Sequence, residues 1–139
     1  MKLRWSKAKI LAALGGAVLL AGGGLAAYAA QSAAARERIE RAVMLTGGAP
    51  ERAHEHIRNF GCAGCHDIPG IDGPEGLVGP PLGTIGKRVY IAGVMTNTPG
   101  NLVDWIVNPP SIDPMTAMPV TGISEAEARD VAAYLYSLP

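Results

Sequence analysis

Cys62-Ala63-Gly64-Cys65-His66 places two thiols three residues apart, with an imidazole directly after the second. Two thiols at this separation can add to the two vinyl groups of one porphyrin, leaving the adjacent histidine beneath the ring with a nitrogen aimed at iron. C-x-x-C-H is therefore read as the attachment sequence of one covalent haem c, joined through Cys62 and Cys65 with His66 on the metal. Two other chemistries share part of the pattern. A redox dithiol uses C-x-x-C in a strand–helix setting and does not require the histidine. A zinc site needs four ligands, and this chain has no further cysteine to complete one. A disulfide scaffold would need several cysteines at wider spacing, so that class is excluded.

The sixth position on such an iron decides what it does. Candidate ligands are Met44, Met95, Met115, Met118, His54 and His56. Met118 lies in Pro114-Met115-Thr116-Ala117-Met118-Pro119, a stiff loop ahead of the last helix, and Met115 is its rival three residues earlier. A thioether is soft and prefers ferrous iron, so His/Met ligation raises the reduction potential and occupies the place oxygen would need. Met44 and Met95 sit in no stiff loop and read as flexible core fillers. His54 and His56 precede the motif beside Glu51 and Glu55, and read as solvated surface groups.

These residues need elements to hold them. Pro50 suits a first helical position, and Glu51–Phe60 predicts a helix stopped by Gly61. Residues 67–100 contain eight Gly and five Pro, which is loop chemistry. Thr98-Pro99 predicts the cap and first turn of a short helix through Leu102, Val103, Trp105 and Ile106, ended by Asn108-Pro109-Pro110. Ser124-x-x-Glu127 is a capping box. It opens a last helix whose stripe of Ala128, Val131, Leu135 and Leu138 should face inward. No alternating strand pattern and no internal repeat is visible. The expected fold is all-α, a small set of helices in long loops around a covalent haem, preceded by one hydrophobic helix.

The segment ahead of this domain has a different character. Ile10–Ala30 is 21 residues without a charge, preceded by Lys2, Arg4, Lys7 and Lys9. As a helix it would be ~30 Å long, enough for one hydrocarbon core. A secretory signal has the same basic flank but a shorter apolar region, and Ala27-Tyr28-Ala29 offers a cleavage site. Both readings, an uncleaved anchor or a cleaved signal, leave the basic end in the cytoplasm and export the rest. Gln31–Met44 continues in helical style, with Glu37–Arg41 spaced i,i+4. It reads as a stalk ending at Gly47-Gly48, or alternatively as the first helix of the domain. The organisation expected is thus 1–30 transmembrane anchor or signal, 31–49 stalk or linker, and 50–139 haem domain.

Net charge is zero over 139 residues, but beyond Ala30 there are eight basic and twelve acidic groups. An acidic domain is a poor nucleic-acid binder, because phosphate contacts need clustered Lys and Arg. Aromatics are 5%, with a single Phe, Phe60. A domain of about 90 residues buries only ~60–65% of its unfolded surface, so a porphyrin is a natural filler for its centre.

Residues 50–139 resemble a class I cytochrome c. Beyond the attachment motif, Val78-Gly79-Pro80-Pro81-Leu82 resembles the family's G-P-x-L segment, which implies that the Pro80 carbonyl accepts a hydrogen bond from His66 and raises its basicity. Leu102–Pro109 resembles the helix whose ring residue packs on the haem, here Trp105. In the same register Met118 falls on the axial methionine and Thr116 on the loop threonine near a propionate. Val131-Ala132-Ala133-Tyr134-Leu135 resembles the C-terminal helix that crosses the first one, with Tyr134 against Ala53, where the family usually has Gly, and Ile57 nearby. Many members ring the haem edge with lysines, but beyond residue 30 this chain has only Lys87, beside Arg88.

The resemblance implies a single-haem electron carrier rather than an enzyme, with no small-molecule substrate and no nucleic acid. Its partners would be a quinol:cytochrome c reductase, a terminal oxidase or a periplasmic dehydrogenase. The expected location is the bacterial inner membrane with the haem domain in the periplasm, or the soluble periplasm after cleavage. Two alternatives stay open: a permanent haem subunit of an oxidase or dehydrogenase complex, and a gas-binding sensor or haem peroxidase with an open sixth position.

Overall fold

A computed structural model describes residues 7–73, 76 and 78–139. The basic flank (Lys2 and Arg4, and the side chains of Lys7 and Lys9) lies outside the described residues, as do Pro74, Glu75 and Leu77 of the long loop. The chain divides into two compact units, with the division after Ala34. Helix α1 (Lys7–Thr46) contains the apolar run. Over the first unit the described large apolar side chains Leu14, Leu19, Leu20 and Leu25 are exposed. The stretch Leu14–Thr46 is long and apolar enough to cross a membrane by length and composition.

The second unit is built on α5 (Glu125–Ser137). Its start is written locally: Ser124 Oγ accepts from the Glu127 N–H, and a Glu127 carboxylate oxygen accepts from the Ser124 N–H at 2.9 Å. Ala128, Val131 and Leu135 are buried, as expected. Asp130, Ala132 and Ala133 are buried as well, so the helix is enclosed on more than the one expected stripe. The reason is that α2 (Ala53–Asn59), the 3-10 turn Pro50–Arg52 and α3 (Pro99–Val107) all pack on it. Small Ala132 and Ala133 allow these neighbours close. Ala53 and Ile57 of α2 are fully buried, and a side chain such as Ile57 contributes ~2 kcal/mol by leaving water.

The predicted helix over 51–60 is present as two pieces, the Pro50–Arg52 turn and α2, and Gly61 ends it at φ +69. Helix α3 starts as read, with Thr98 Oγ1 accepting from the Asn101 N–H at 3.2 Å. It is followed by the single turn α4 (Pro109–Ile112). The fold is all-α as expected, and the strands among the described residues are two short ones. Strands β1 (Tyr90–Ile91) and β2 (Met95–Thr96) pair antiparallel, with Tyr90 opposite Thr96. Two residues per strand are too few for an alternating pattern to register in sequence.

The segment 31–49, read as a stalk or as the first helix of the domain, divides after Ala34. From Ala35 it belongs to the same compact unit as the helices that follow, and Ala42 and Thr46 are 1% exposed. Arg129 of α5 donates through Nη1 to the Thr46 carbonyl at 3.0 Å, capping the last turn of α1. Gly48 then runs so close to α5 that a Cβ there would collide with the Arg129 carbonyl.

Candidate functional site

The local backbone arranges the motif in a tight turn. Cys62–Gly64 is a 3-10 turn entered from left-handed Gly61, and the N–H groups of Cys65 and His66 both donate to the Cys62 carbonyl, at 3.2 and 3.0 Å. The two thiols are thereby held on one turn of chain, half-buried and not joined to each other. Burial pushes the Cys62 thiol above its ordinary value.

His66 Nδ1 lies 2.8 Å from the Pro80 carbonyl oxygen. A carbonyl only accepts, so Nδ1 carries the proton, and in the neutral ring Nε2 is the nitrogen with the lone pair. The geometry that the G-P-x-L resemblance implied for this pair is thus present. Gly79 is part of it, because a Cβ at that position would collide with the imidazole ring. The Gly79 N–H in turn donates to the Cys65 carbonyl at 2.7 Å, and the Leu82 N–H to Asp67 at 2.8 Å. The loop is therefore laced to the motif from both sides of the proline pair.

Met118 and Thr116 form a second group on the loop between α4 and α5. The Met118 N–H donates to Thr116 Oγ1 at 3.2 Å, which leaves the hydroxyl proton of Thr116 free to donate elsewhere. Asp113 shapes this loop, taking the Met115 N–H on its carboxylate and the Thr116 N–H on its carbonyl. Met118 is half-buried against the core, whereas Met115 is 90% exposed. Trp105 is buried among the core residues of α3. No hydrogen bond joins the Met118 group, Trp105 and the His66–Pro80 pair among the described residues.

The donor set fits a covalent porphyrin better than a bare ion. Two thiols and an imidazole oriented through Nδ1 share one turn, with a thioether on a separate loop. Among the described residues no three His, Cys, Asp or Glu side chains converge as an ion site would require.

Three side chains lie elsewhere than expected. Met44 is not a core filler but 79% exposed; it faces away from the packed side of α1 that Ala42 and Thr46 occupy. His56 is not a solvated surface group: its Nε2 is 3.1 Å from Asp130 Oδ2, with a Glu127 oxygen 3.8 Å from Nδ1. His54 is half-buried, its ring packed edge-on against Tyr134, whose hydroxyl donates to the Pro69 carbonyl. Sequence reasoning also missed Asp130, which takes the Ala49 N–H and a forked pair of bonds from Arg52. Burial pushes its carboxyl up, but Arg52, Ala49 and His56 together outweigh that and hold it below the usual range. Only its place beside the inward stripe of α5 hinted at this.

A protein-family model described as Cytochrome c matches residues 51–139. Over 78 residues the chain is 36% identical to cytochrome c oxidase subunit 2 of Alkalihalophilus pseudofirmus, a match covering 55% of this chain and 22% of that one. Over 88 residues it is 32% identical to cytochrome c oxidase subunit 2 of Bacillus sp. (strain PS3), covering 60% and 25%. The chain therefore spans about a quarter of the length of these relatives. No solved structure matches.

Proposed function

The chain belongs to the cytochrome c family, and on that basis we propose that it is a single-haem electron carrier held at a membrane, with haem c joined to Cys62 and Cys65 and its iron between His66 and Met118. A covalent haem c and electron transfer come with the family; the ligands, partners and location are the proposal. When bound, the haem supplies a one-electron Fe(III)/Fe(II) couple. The protein's residues bind, orient and exclude. The Pro80 carbonyl holds the His66 ring by its Nδ1 proton and makes Nε2 a better donor. Met118 would be the second protein ligand to the iron, where its soft thioether would keep out oxygen and favour the ferrous state. Thr116 stiffens the ligand loop through the Met118 N–H. Buried Trp105, Leu102 and Ile106 supply dry surroundings, so that little reorganises when the charge changes.

The observation that carries this reading is the His66–Pro80 bond, because it leaves one imidazole nitrogen committed to the chain and the other free for a metal. The test is the spectrum of the reduced protein before and after carbon monoxide. A capped iron stays unchanged on the timescale of mixing; rapid, complete binding would favour the gas-sensor or peroxidase reading.

Electrons would enter from a reductase such as a quinol:cytochrome c reductase, or from a periplasmic dehydrogenase, and leave to a terminal oxidase. The apolar helix supports an anchor in the inner membrane with the haem domain in the periplasm, or a signal removed on export. An anchor replaces long-range steering with high effective concentration, which suits an acidic domain with few lysines. A second reading, a permanent haem subunit of an oxidase, is favoured by the relatives, both of which are oxidase subunits. Gentle solubilisation followed by sizing separates the two: a stable large complex supports the subunit, a free carrier the shuttle.

A further inference from the structure

Pro80 and Pro81 stand side by side in the loop that orients His66, and neither has a backbone N–H. A proline pair cannot anchor itself by donating, so the direction of its carbonyls is set by groups from elsewhere. Gly79 and Leu82 restrain its two flanks through Cys65 and Asp67. Besides His66, the described side chain that bonds the pair directly is Arg88, whose Nη2 donates to the Pro81 carbonyl, one peptide along from the oxygen that accepts from His66.

Arg88 is itself held. Its carbonyl accepts from Asn97 Nδ2 at 2.9 Å, and the Ile85 carbonyl accepts from the same nitrogen at 2.6 Å. The Asn97 backbone N–H closes on the Val89 carbonyl at 2.9 Å. Since two carbonyls can only accept, the amide orientation is settled: its NH2 faces them and its oxygen faces Tyr136. The Tyr136 hydroxyl donates to that oxygen at 2.6 Å from the end of α5. Asn97 thus spends both amide protons, its amide oxygen and its backbone N–H in tying the turn Ile85–Lys87 and Arg88 to the C-terminal helix.

From this chain of bonds we propose that Asn97, steadied by Tyr136, is a positioning residue for His66: it fixes Arg88, Arg88 fixes Pro81, and the Pro80 carbonyl thereby keeps its aim on the imidazole Nδ1 proton. The inference rests on the reading of His66 as a haem ligand. When the relay is loosened, the Nδ1–H···O bond weakens, the imidazole becomes a poorer donor and the ferric state loses support, so the reduction potential rises. Replacing Arg88 would mix this effect with a change of net charge. Asn97→Ala and Tyr136→Phe keep the charge constant.

The test uses the full-length, haem-loaded protein. Haem c content is measured first by the pyridine haemochrome spectrum, so that a failure of the haem reading is seen separately. In Asn97→Ala, exchange of the His66 Nδ1 proton followed by NMR should speed up by about tenfold, and the potential should rise. Tyr136→Phe should move both readouts the same way by less. Tyr90→Phe, at the exposed tyrosine of β1, should move neither. Lower melting temperatures in the first two variants, with exchange and potential matching Tyr90→Phe, would mean a merely structural role and would overturn the proposal. Should Asn97→Ala fail to load haem, Tyr136→Phe decides by the same readouts.

Discussion

Asp130 of α5 reaches across 81 residues of sequence to accept the Ala49 N–H at 2.6 Å, just where α1 gives way to the Pro50 turn. The same carboxylate takes two bonds from Arg52 and one contact from His56, so a single buried acid fastens the entry of the haem domain to its last helix. Replacing it by Ala leaves the Ala49 N–H without this partner and should cost about 2 kcal/mol, read by chemical unfolding.

The pH dependence of that contribution has a definite sign. The carboxyl of Asp130 is held below its ordinary value in the folded protein. Its contribution is therefore complete above the unfolded value, about 3.9, and is lost as pH falls through the lower folded one. Unfolding curves collected from pH 6 downwards should show stability falling with acid, and Asp130→Asn should flatten part of that slope. A slope unchanged in the variant would remove Asp130 as its source.

At Gly79 the prediction concerns space. A Cβ there collides with the His66 ring, whereas one at Gly100 meets nothing within 4 Å. Gly79→Ala should cut the yield of haem-loaded protein severalfold or displace His66 from its spectrum. Gly100→Ala should load normally and be as stable as the parent or slightly more so. The comparison needs only absorbance per mole of chain.

The two loop methionines should separate cleanly. Met118→Ala should open the sixth position, so that the reduced protein takes up carbon monoxide within mixing time and its potential drops sharply. Met115, almost wholly exposed, should be replaceable by Ala with neither change. Identical behaviour of the two variants would assign the ligand elsewhere.

Along α1 the contrast is between Ala42 and Met44. Ala42 is 1% exposed and Met44 79%. Ala42→Glu should destabilise the haem domain by roughly 2–4 kcal/mol by burying a charge or undocking the last turns of α1. Met44→Glu should change stability by less than about 0.5 kcal/mol. Equal, small effects would mean that the end of α1 is not part of the folded unit.

What sequence made legible here is local. The Cys62–His66 turn, the Thr98 cap and the Ser124–Glu127 box each depend on residues within a few positions of one another, and their chemistry is written in the residue types. Pro80 is an intermediate case: its contact with His66 spans 14 residues, and only the family resemblance pointed to it. Asp130, His56 and the Asn97–Tyr136 bond were not legible, because their partners lie 39 to 81 residues away and no periodicity encodes a side-chain meeting at that range. His56 shows the cost most plainly. Beside Glu51 and Glu55 it reads as solvated, yet the acids it meets are Glu127 and Asp130, brought to it by α5.

The decisive measurement is the intact mass of the full-length protein, purified from cells able to attach haem and then denatured in acid. One haem should stay on the chain, both thiols should resist alkylation, and replacing both Cys62 and Cys65 by Ala should abolish the added mass. A chain at its bare polypeptide mass with two alkylatable thiols would contradict the account.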